Sequence, residues 1–94
     1  MLSQIPINLD KIDSNNIDLE ILRAGVIAEL DAINLYEQMA AMAQDEKIKN
    51  ILLDIAKEEK THVGEFQALL LNRDRQQIEE LAAGREEVKK EVGE

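Results

Sequence analysis

The sequence contains no cysteine and no tryptophan, and its only aromatic residues are Tyr36 and Phe66. Without cysteine, the chain can form no disulfide, no thiolate metal site and no rubredoxin-type iron centre. Its four glycines are scattered, so a glycine-rich loop that binds phosphate is also excluded. Hydrophobic residues nevertheless make up 45% of the chain, which is too many for a disordered protein and, because most are aliphatic, favours closely packed helices.

Positive charge is also scarce, since 11 lysines and arginines are set against 20 aspartates and glutamates, for a formal net charge of -9. Nucleic acids and anionic membrane surfaces attract basic proteins, so neither is an expected partner. The acidic balance would attract cations, but it is also typical of a solvated surface, and charge alone does not distinguish the two. The sequence shows no secretory signal and no apolar stretch of membrane-spanning length, so we expect a cytoplasmic protein.

The spacing of apolar residues predicts one small all-α domain, residues 1–94, built as an antiparallel helical hairpin with a short third helix. Asn or Ser in a polar turn over 13–16 can cap the first helix, and Asp45 and Asp74 can cap the others. Gly84 is predicted to end or loosen the third helix. A domain this small often depends on a metal or on oligomerisation. We predict an N-terminal arm over residues 1–16 and helices over 17–43, 46–71 and 75–83. A charged tail is predicted to follow over 84–94.

Each long helix has one apolar stripe, and side chains that can bind metal interrupt both stripes. The stripe of the first helix consists of Leu22, Val26, Glu29, Ile33, Tyr36, Ala40 and Ala43. That of the second consists of Ile48, Leu52, Ile55, Glu59, His62, Phe66 and Leu69. Because a short connection makes the helices antiparallel, residues whose numbers sum to about 89 or 90 lie at one level, at roughly 1.5 Å per residue. Glu29 then lies between Glu59 and His62 in height, so the three polar groups converge.

Glu59 and His62 form a Glu-x-x-His motif, and His62 is the only histidine of the chain. A carboxylate-bridged di-metal bundle uses one Glu from each of two helices and Glu-x-x-His from each of the other two. This chain carries one of each, with Glu29 as the single glutamate. It therefore holds half of a di-iron site, and we predict a homodimer that completes a four-helix di-iron bundle.

Each of these side chains also has an ordinary structural interpretation. A single glutamate on a stripe can reach solvent at the helix boundary, and a single core histidine such as His62 is usually hydrogen-bonded. Together, however, two buried carboxylates without partners would cost several kcal/mol, and neither stripe carries a lysine or arginine to neutralise them. A divalent cation would neutralise them, and carboxylates with a little imidazole suit iron or manganese better than structural zinc.

Three further features each have two interpretations. Tyr36 lies about two turns after Glu29, where it can either pack in the core or lie beside the metals. Gly25 and Gly64 should face each other, either to let the helices approach closely or to leave room for a ligand or a partner chain. The two long helices also carry a second apolar strip, which consists of Ala24, Ile27, Leu35, Met42, Leu53, Leu70 and Leu71. The third helix and the arm can cover this strip, although contacts with other chains of an oligomer explain it better.

The segments 28–36 and 58–62 resemble the encapsulated ferritins, which are half-length members of the ferritin-like superfamily. The resemblance covers about residues 17–83, and the Glu, the Tyr and the Glu-Glu-x-x-His block all fall at the spacing of the family. It implies that Tyr36 lies beside the metals. It also implies a ferroxidase centre formed at a dimer interface by both copies of Glu29, Glu59 and His62.

The resemblance further implies an open ring of dimers, typically a decamer, that works inside an encapsulin shell because a ring cannot enclose a mineral. Some relatives have acidic residues at the positions of both Ala28 and Asp31, which form an outer site for incoming metal. Only Asp31 is acidic here, so such an outer site would rest on Asp31. Family members also carry a C-terminal shell-targeting peptide or are fused to the shell protein. Residues 86–94 show neither, so a domain of a longer protein and a protein that is not encapsulated both stay open.

We therefore predict an enzyme that oxidises Fe(II) to Fe(III) with dioxygen at a di-iron centre shared by two subunits, for iron storage or detoxification inside an encapsulin compartment. Glu59 is the expected bridging ligand, and Glu29 and His62 are the expected terminal ligands. Two alternatives stay open. One is a rubrerythrin-like peroxide reductase, against which the absence of cysteine counts, and the other is a metal-free helical adaptor module.

Overall fold

The computed structural model describes residues 16–94, and in that part of the chain it contains three α-helices and no β-strand. The helices are α1 (Ile17–Met42), α2 (Glu46–Leu71) and α3 (Arg75–Val92). The ends of α1 and α2 agree with the prediction to within one residue. The predicted arm, apart from Asn16, lies outside the described residues. None of the helices described is long and apolar enough to cross a membrane.

A short polar connection turns the chain from α1 into α2. The Asp45 side chain caps α2, as predicted, by accepting hydrogen bonds from the backbone N–H groups of Lys47 (2.7 Å) and Ile48 (3.4 Å). So short a loop brings α1 and α2 together as an antiparallel pair. Asn16 occupies the N-cap position of α1, but its side chain makes no capping hydrogen bond.

Asp74 fixes the start of α3 at two points. Its Oδ1 accepts a hydrogen bond from the backbone N–H of Gln77 at 3.1 Å, which is the predicted cap. Its Oδ2 accepts a hydrogen bond from the guanidinium of Arg23, on α1, at 3.0 Å. Because the Arg23 side chain is exposed, this ion pair is weak alone, but with the cap it attaches the N-terminal end of α3 to the hairpin.

The prediction that the third helix ends at Gly84 is wrong, and so is the tail predicted after it. α3 continues to Val92, where Gly93 ends it in the left-handed conformation with φ of 77°. A glycine inside a helix costs about 1 kcal/mol relative to alanine. The residues after Gly84 offset this cost because most are good helix formers, Glu86 precedes Lys90 by four residues, and basic residues occupy the last turn.

The core lies between α1 and α2 and is small. In the described part of the chain, the buried apolar residues are Leu22, Ile33, Ala40, Ala56 and Leu70. The three on α1 belong to its predicted stripe. On α2 the prediction is partly wrong, because Ile48 and Leu69 of the stripe are exposed, whereas Ala56 and Leu70 outside it are buried. The apolar face of α2 is wider than its contact with α1, so only part of it faces the hairpin.

Large apolar side chains stay exposed on all three helices. Of the predicted second strip, Ile27, Met42 and Leu53 are accessible, whereas Leu70 belongs to the core. Other exposed examples are Ile21, Leu30, Ile48, Ile51, Leu69, Ile78, Leu81, Val88 and Val92. Exposed apolar surface on this scale is typical of a chain that associates with other chains.

Candidate metal centre

The three residues predicted to bind metal converge at the middle of the hairpin. Glu29 lies on α1, and Glu59 and His62 lie side by side on α2 because a spacing of three residues places them on one helix face. One potential ligand atom from each side chain lies within 4.8 Å of the other two. We refer to these three side chains as the Glu–Glu–His cluster.

His62 contacts both carboxylates of the cluster through the same ring nitrogen. Its Nδ1 atom is 3.4 Å from Oε2 of Glu59 and 3.5 Å from Oε2 of Glu29. Both distances are long for a hydrogen bond, so the imidazole makes no short, strong bond to either carboxylate. Three potential ligand atoms therefore face one another without being strongly bonded to one another.

One oxygen of the cluster has no hydrogen-bond partner. Oε2 of Glu29 is buried, and at 3.5 Å from Nδ1 of His62 it makes no hydrogen bond. In the described residues, Glu29 and Glu59 each lie within 3.5 Å of His62 and of no lysine or arginine. Lys60, next to Glu59 in sequence, pairs with Glu37 at 3.2 Å instead. A buried carboxylate oxygen without a donor is costly, and a bound cation would remove that cost.

The donor set fits a divalent transition metal. Two carboxylates and one imidazole suit iron or manganese, whereas structural zinc sites prefer thiolate and histidine. The side chains of Glu29 and Glu59 are each 18% exposed, but that of His62 is 44% exposed. The carboxylates are therefore largely covered, and the cluster is open at His62, where a second chain could add ligands.

Two other residues predicted for the site are not part of the cluster. Tyr36 is half-buried on α1, about two turns from Glu29, so it lies on the same helix face at a different level. Asp31 is also half-buried and is not one of the three clustered ligands. The roles of Tyr36 beside the metals and of Asp31 in an outer site therefore stay predictions.

Gly25 and Gly64 do not form the pair of facing glycines that was predicted. A Cβ atom at Gly25 would lie 2.8 Å from two ring carbons of Phe66, whereas one at Gly64 would have no atom within 4 Å. The predicted close approach of α2 to α1 is thus confirmed at Gly25, but the residue that approaches Gly25 is Phe66 rather than Gly64. This contact was not predicted from the sequence, although Phe66 lies on the predicted stripe and within one turn of the level of Gly25.

Comparison with known proteins identifies the family. Residues 6–88 match the EncFtn-like family, which is most of the chain. The chain belongs to this family. It is 59% identical to a Pyrococcus furiosus protein called "Ferritin-like-encapsulin shell fusion protein", over 99% of this chain and 28% of that protein. The chain thus spans less than a third of the length of this curated relative.

A solved structure supports the same assignment for this EncFtn-like chain. The crystal structure of the encapsulated ferritin domain from Pyrococcus furiosus matches with a TM-score of 0.86 and 57% sequence identity. The match covers 100% of this chain and 98% of that one. The chain therefore has the all-α ferritin-like fold, and the resemblance to encapsulated ferritins is confirmed.

Proposed function

We propose that this EncFtn-like protein is a ferroxidase that oxidises Fe(II) with dioxygen at a di-iron centre shared by two copies of the chain. The observation that carries the proposal is the Glu–Glu–His cluster, in which a buried oxygen of Glu29 lacks a hydrogen-bond donor. Membership of a ferritin-like family supports it. Fe(II) is the substrate, and the residues of the protein bind and position it.

One chain supplies half of the ligands that such a centre needs. Carboxylate-bridged di-metal bundles take Glu from two helices and Glu-x-x-His from two more, and α1 and α2 provide one of each. A two-fold axis that passes close to His62, the open member of the cluster, would bring a second set of ligands against the first. The carboxylates, two from each chain, then balance the charge of two Fe(II) ions while the imidazoles stay neutral.

The reaction needs two electrons, which two irons held close together can supply. Each Fe(II) gives one electron, and dioxygen takes up two electrons and two protons to become hydrogen peroxide. We assign Glu59 as the carboxylate that bridges both ions, and Glu29 and His62 as ligands of one ion each. Because the carboxylates are anionic and largely covered, they stabilise the higher charge of the Fe(III) that forms.

Oxidation of Fe(II) by the purified, metal-free protein tests the proposal. We expect ferric absorbance to rise much faster than in buffer alone, with one dioxygen consumed for two Fe(II), and metal analysis to find two irons per dimer. Rapid oxidation with hydrogen peroxide alone would instead identify a peroxide reductase of the rubrerythrin kind. A protein that binds no iron would be a metal-free helical adaptor.

The distribution of exposed apolar residues supports an assembly larger than a dimer. Ile51 and Leu69 share a face of α2 with His62, and a two-fold contact at the cluster would cover them. Such a contact would leave α3 uncovered, where exposed apolar residues share one helix face at Ile78, Leu81, Val88 and Val92. We propose that dimers assemble through this row, the α3 row, into a closed ring, for which a decamer is the expected size.

An encapsulin shell is the proposed partner of this assembly. The Pyrococcus furiosus relative is, by its name, a fusion of a ferritin-like part with an encapsulin shell. A ring of dimers that oxidises iron has no enclosed space of its own for a mineral. A surrounding shell would supply that space, so we propose that the protein works inside an encapsulin compartment in the cytoplasm.

Replacing Val88 with glutamate is expected to stop assembly at the dimer while Fe(II) oxidation continues. The new charge would have to be buried within the α3 row, whereas the cluster lies on α1 and α2. Native mass spectrometry and the oxidation assay on one sample measure both properties. Ala83→Glu makes the same change in charge on the exposed opposite face of α3 and should leave the assembly unchanged. A ring of unchanged size in Val88→Glu would contradict assembly through the α3 row.

Replacing Tyr36 with phenylalanine is expected to leave iron binding unchanged but to slow oxidation or alter its course. The substitution keeps nearly all of the packing and removes one hydroxyl, which beside the metals would orient a ligand or a bound oxygen species. If Tyr36 only packs in the core, the cost is about 1 kcal/mol of stability for a hydrogen-bonded hydroxyl, and oxidation is unaffected. Single-turnover oxidation with two Fe(II) per dimer distinguishes the outcomes, and wild-type kinetics would assign Tyr36 to the core.

A further inference from the structure

The ring of Phe66 lies against α1 at the position where Gly25 has no side chain. A Cβ atom at Gly25 would be 2.8 Å from both Cδ1 and Cε1 of Phe66 and 3.0 Å from Cγ. These atoms belong to a rigid ring rather than to the end of a flexible side chain, so little local adjustment is available. A larger residue at Gly25 would therefore push Phe66, and α2 with it, away from α1.

This contact lies one helical turn from the Glu–Glu–His cluster. Gly25 precedes Glu29 by four residues on α1, and Phe66 follows His62 by four residues on α2, so each shares a helix face with a ligand. Because the helices are antiparallel, both offsets lead toward the same end of the hairpin, by about 6 Å along its axis. Gly25 and Phe66 thus form the packing layer next to the ligands.

We propose that Gly25 and Phe66 are positioning residues that set the separation of α1 and α2 at the metal centre, an inference that rests on the proposed iron-binding function. The cluster takes Glu29 from α1 and its other two ligands from α2, so the separation of the helices determines how closely the ligand atoms approach. Metal sites need their ligands within about 0.5 Å of the productive geometry. With alanine at Gly25, the distance from its Cβ to the ring of Phe66 would have to increase from 2.8 Å to the 3.4 Å of ordinary contact. This displacement is comparable in size to that tolerance.

Gly64 provides a matched control for this inference. It lies two residues after His62 on α2, and a Cβ atom there would have no atom within 4 Å. Alanine at Gly25 or at Gly64 brings the same gain in intrinsic helix propensity. A difference in metal binding between the two variants therefore reports the contact of Gly25 with Phe66.

Anaerobic titration calorimetry of the metal-free protein with Fe(II) tests the proposal. We expect Gly64→Ala to keep the wild-type affinity within about twofold and Gly25→Ala to lose about tenfold, as residues that orient metal ligands do. The double variant Gly25→Ala with Phe66→Leu should recover most of the affinity, because leucine is smaller than the ring and adapts to the added methyl group. Phe66→Leu alone should bind Fe(II) more weakly than wild type. It removes the ring that holds α1 and α2 apart at this layer but keeps the position apolar.

Circular dichroism and thermal melting of the same metal-free samples separate positioning from folding. Equal Fe(II) affinity in Gly25→Ala and Gly64→Ala, or no recovery in the double variant, would overturn the inference. So would a lowered melting temperature of Gly25→Ala with unchanged affinity of the folded protein. If Gly25→Ala does not fold, Phe66→Leu decides, and wild-type affinity there overturns the proposal. A wild-type protein and a Gly64→Ala variant that both fail to bind Fe(II) would reject the iron-binding function itself.

Discussion

Oxidation of Fe(II) should fall to the rate of buffer alone when either Glu59 or His62 is replaced by alanine. In the proposed shared centre each substitution would remove two ligands, one from each chain, and leave too few donors to hold two cations close together. The helicity should be unchanged, because α2 does not depend on these side chains and alanine is the better helix former. Ferric absorbance after addition of Fe(II), with circular dichroism of the same sample, measures both effects.

Glu58→Ala is the matched control for this prediction. Glu58 is exposed and adjacent to Glu59, but one step along a helix turns its side chain about 100° away from the cluster. The substitution therefore removes the same charge without removing a ligand and should leave the rate unchanged. Wild-type rates in Glu59→Ala and His62→Ala would place the chemistry elsewhere. An equal loss in Glu58→Ala would mean that acidity rather than the cluster geometry matters.

Fe(II) should shift the protein from monomers toward dimers and larger assemblies. In the proposed dimer without metal, the carboxylates of the two chains would repel one another, and Oε2 of Glu29 would stay without a donor. A ligand that binds only the assembled state stabilises it by about 2.7 kcal/mol at one hundred times its dissociation constant. Native mass spectrometry under anaerobic conditions, with and without Fe(II) at one protein concentration, measures the shift.

Glu29→Ala separates charge repulsion from metal binding in the same experiment. It removes one carboxylate from each chain, together with the unpaired buried oxygen, so the metal-free dimer should become more stable than that of the wild type. The response to Fe(II) should disappear because a ligand is lost. An oligomer distribution that Fe(II) leaves unchanged in the wild-type protein would rule out an interface held together by metal.

The sequence by itself determined the hairpin and the convergence of its polar groups. Apolar spacing located α1 and α2, and Asp45 and Asp74 cap their helices as predicted, because caps depend on residues only two or three positions away. The convergence of the Glu–Glu–His cluster followed from helix geometry and a short loop alone. Such features are predictable because they depend on regular spacing and near neighbours rather than on how large surfaces pack.

The orientation of α2 needed the tertiary structure, and the length of α3 could not be predicted from residue spacing alone. Whether a helix passes Gly84 depends on a balance of small local energies, and here α3 continues to Val92. The apolar face of α2 is wide enough to pack on α1 in several rotations, and the folded chain buries Ala56 while exposing Leu69. That rotation places Phe66 over Gly25. Sequence periodicity shows which face of a helix is apolar, but not how the helix is rotated about its axis against its neighbour. Side-chain packing between residues distant in sequence decides that rotation.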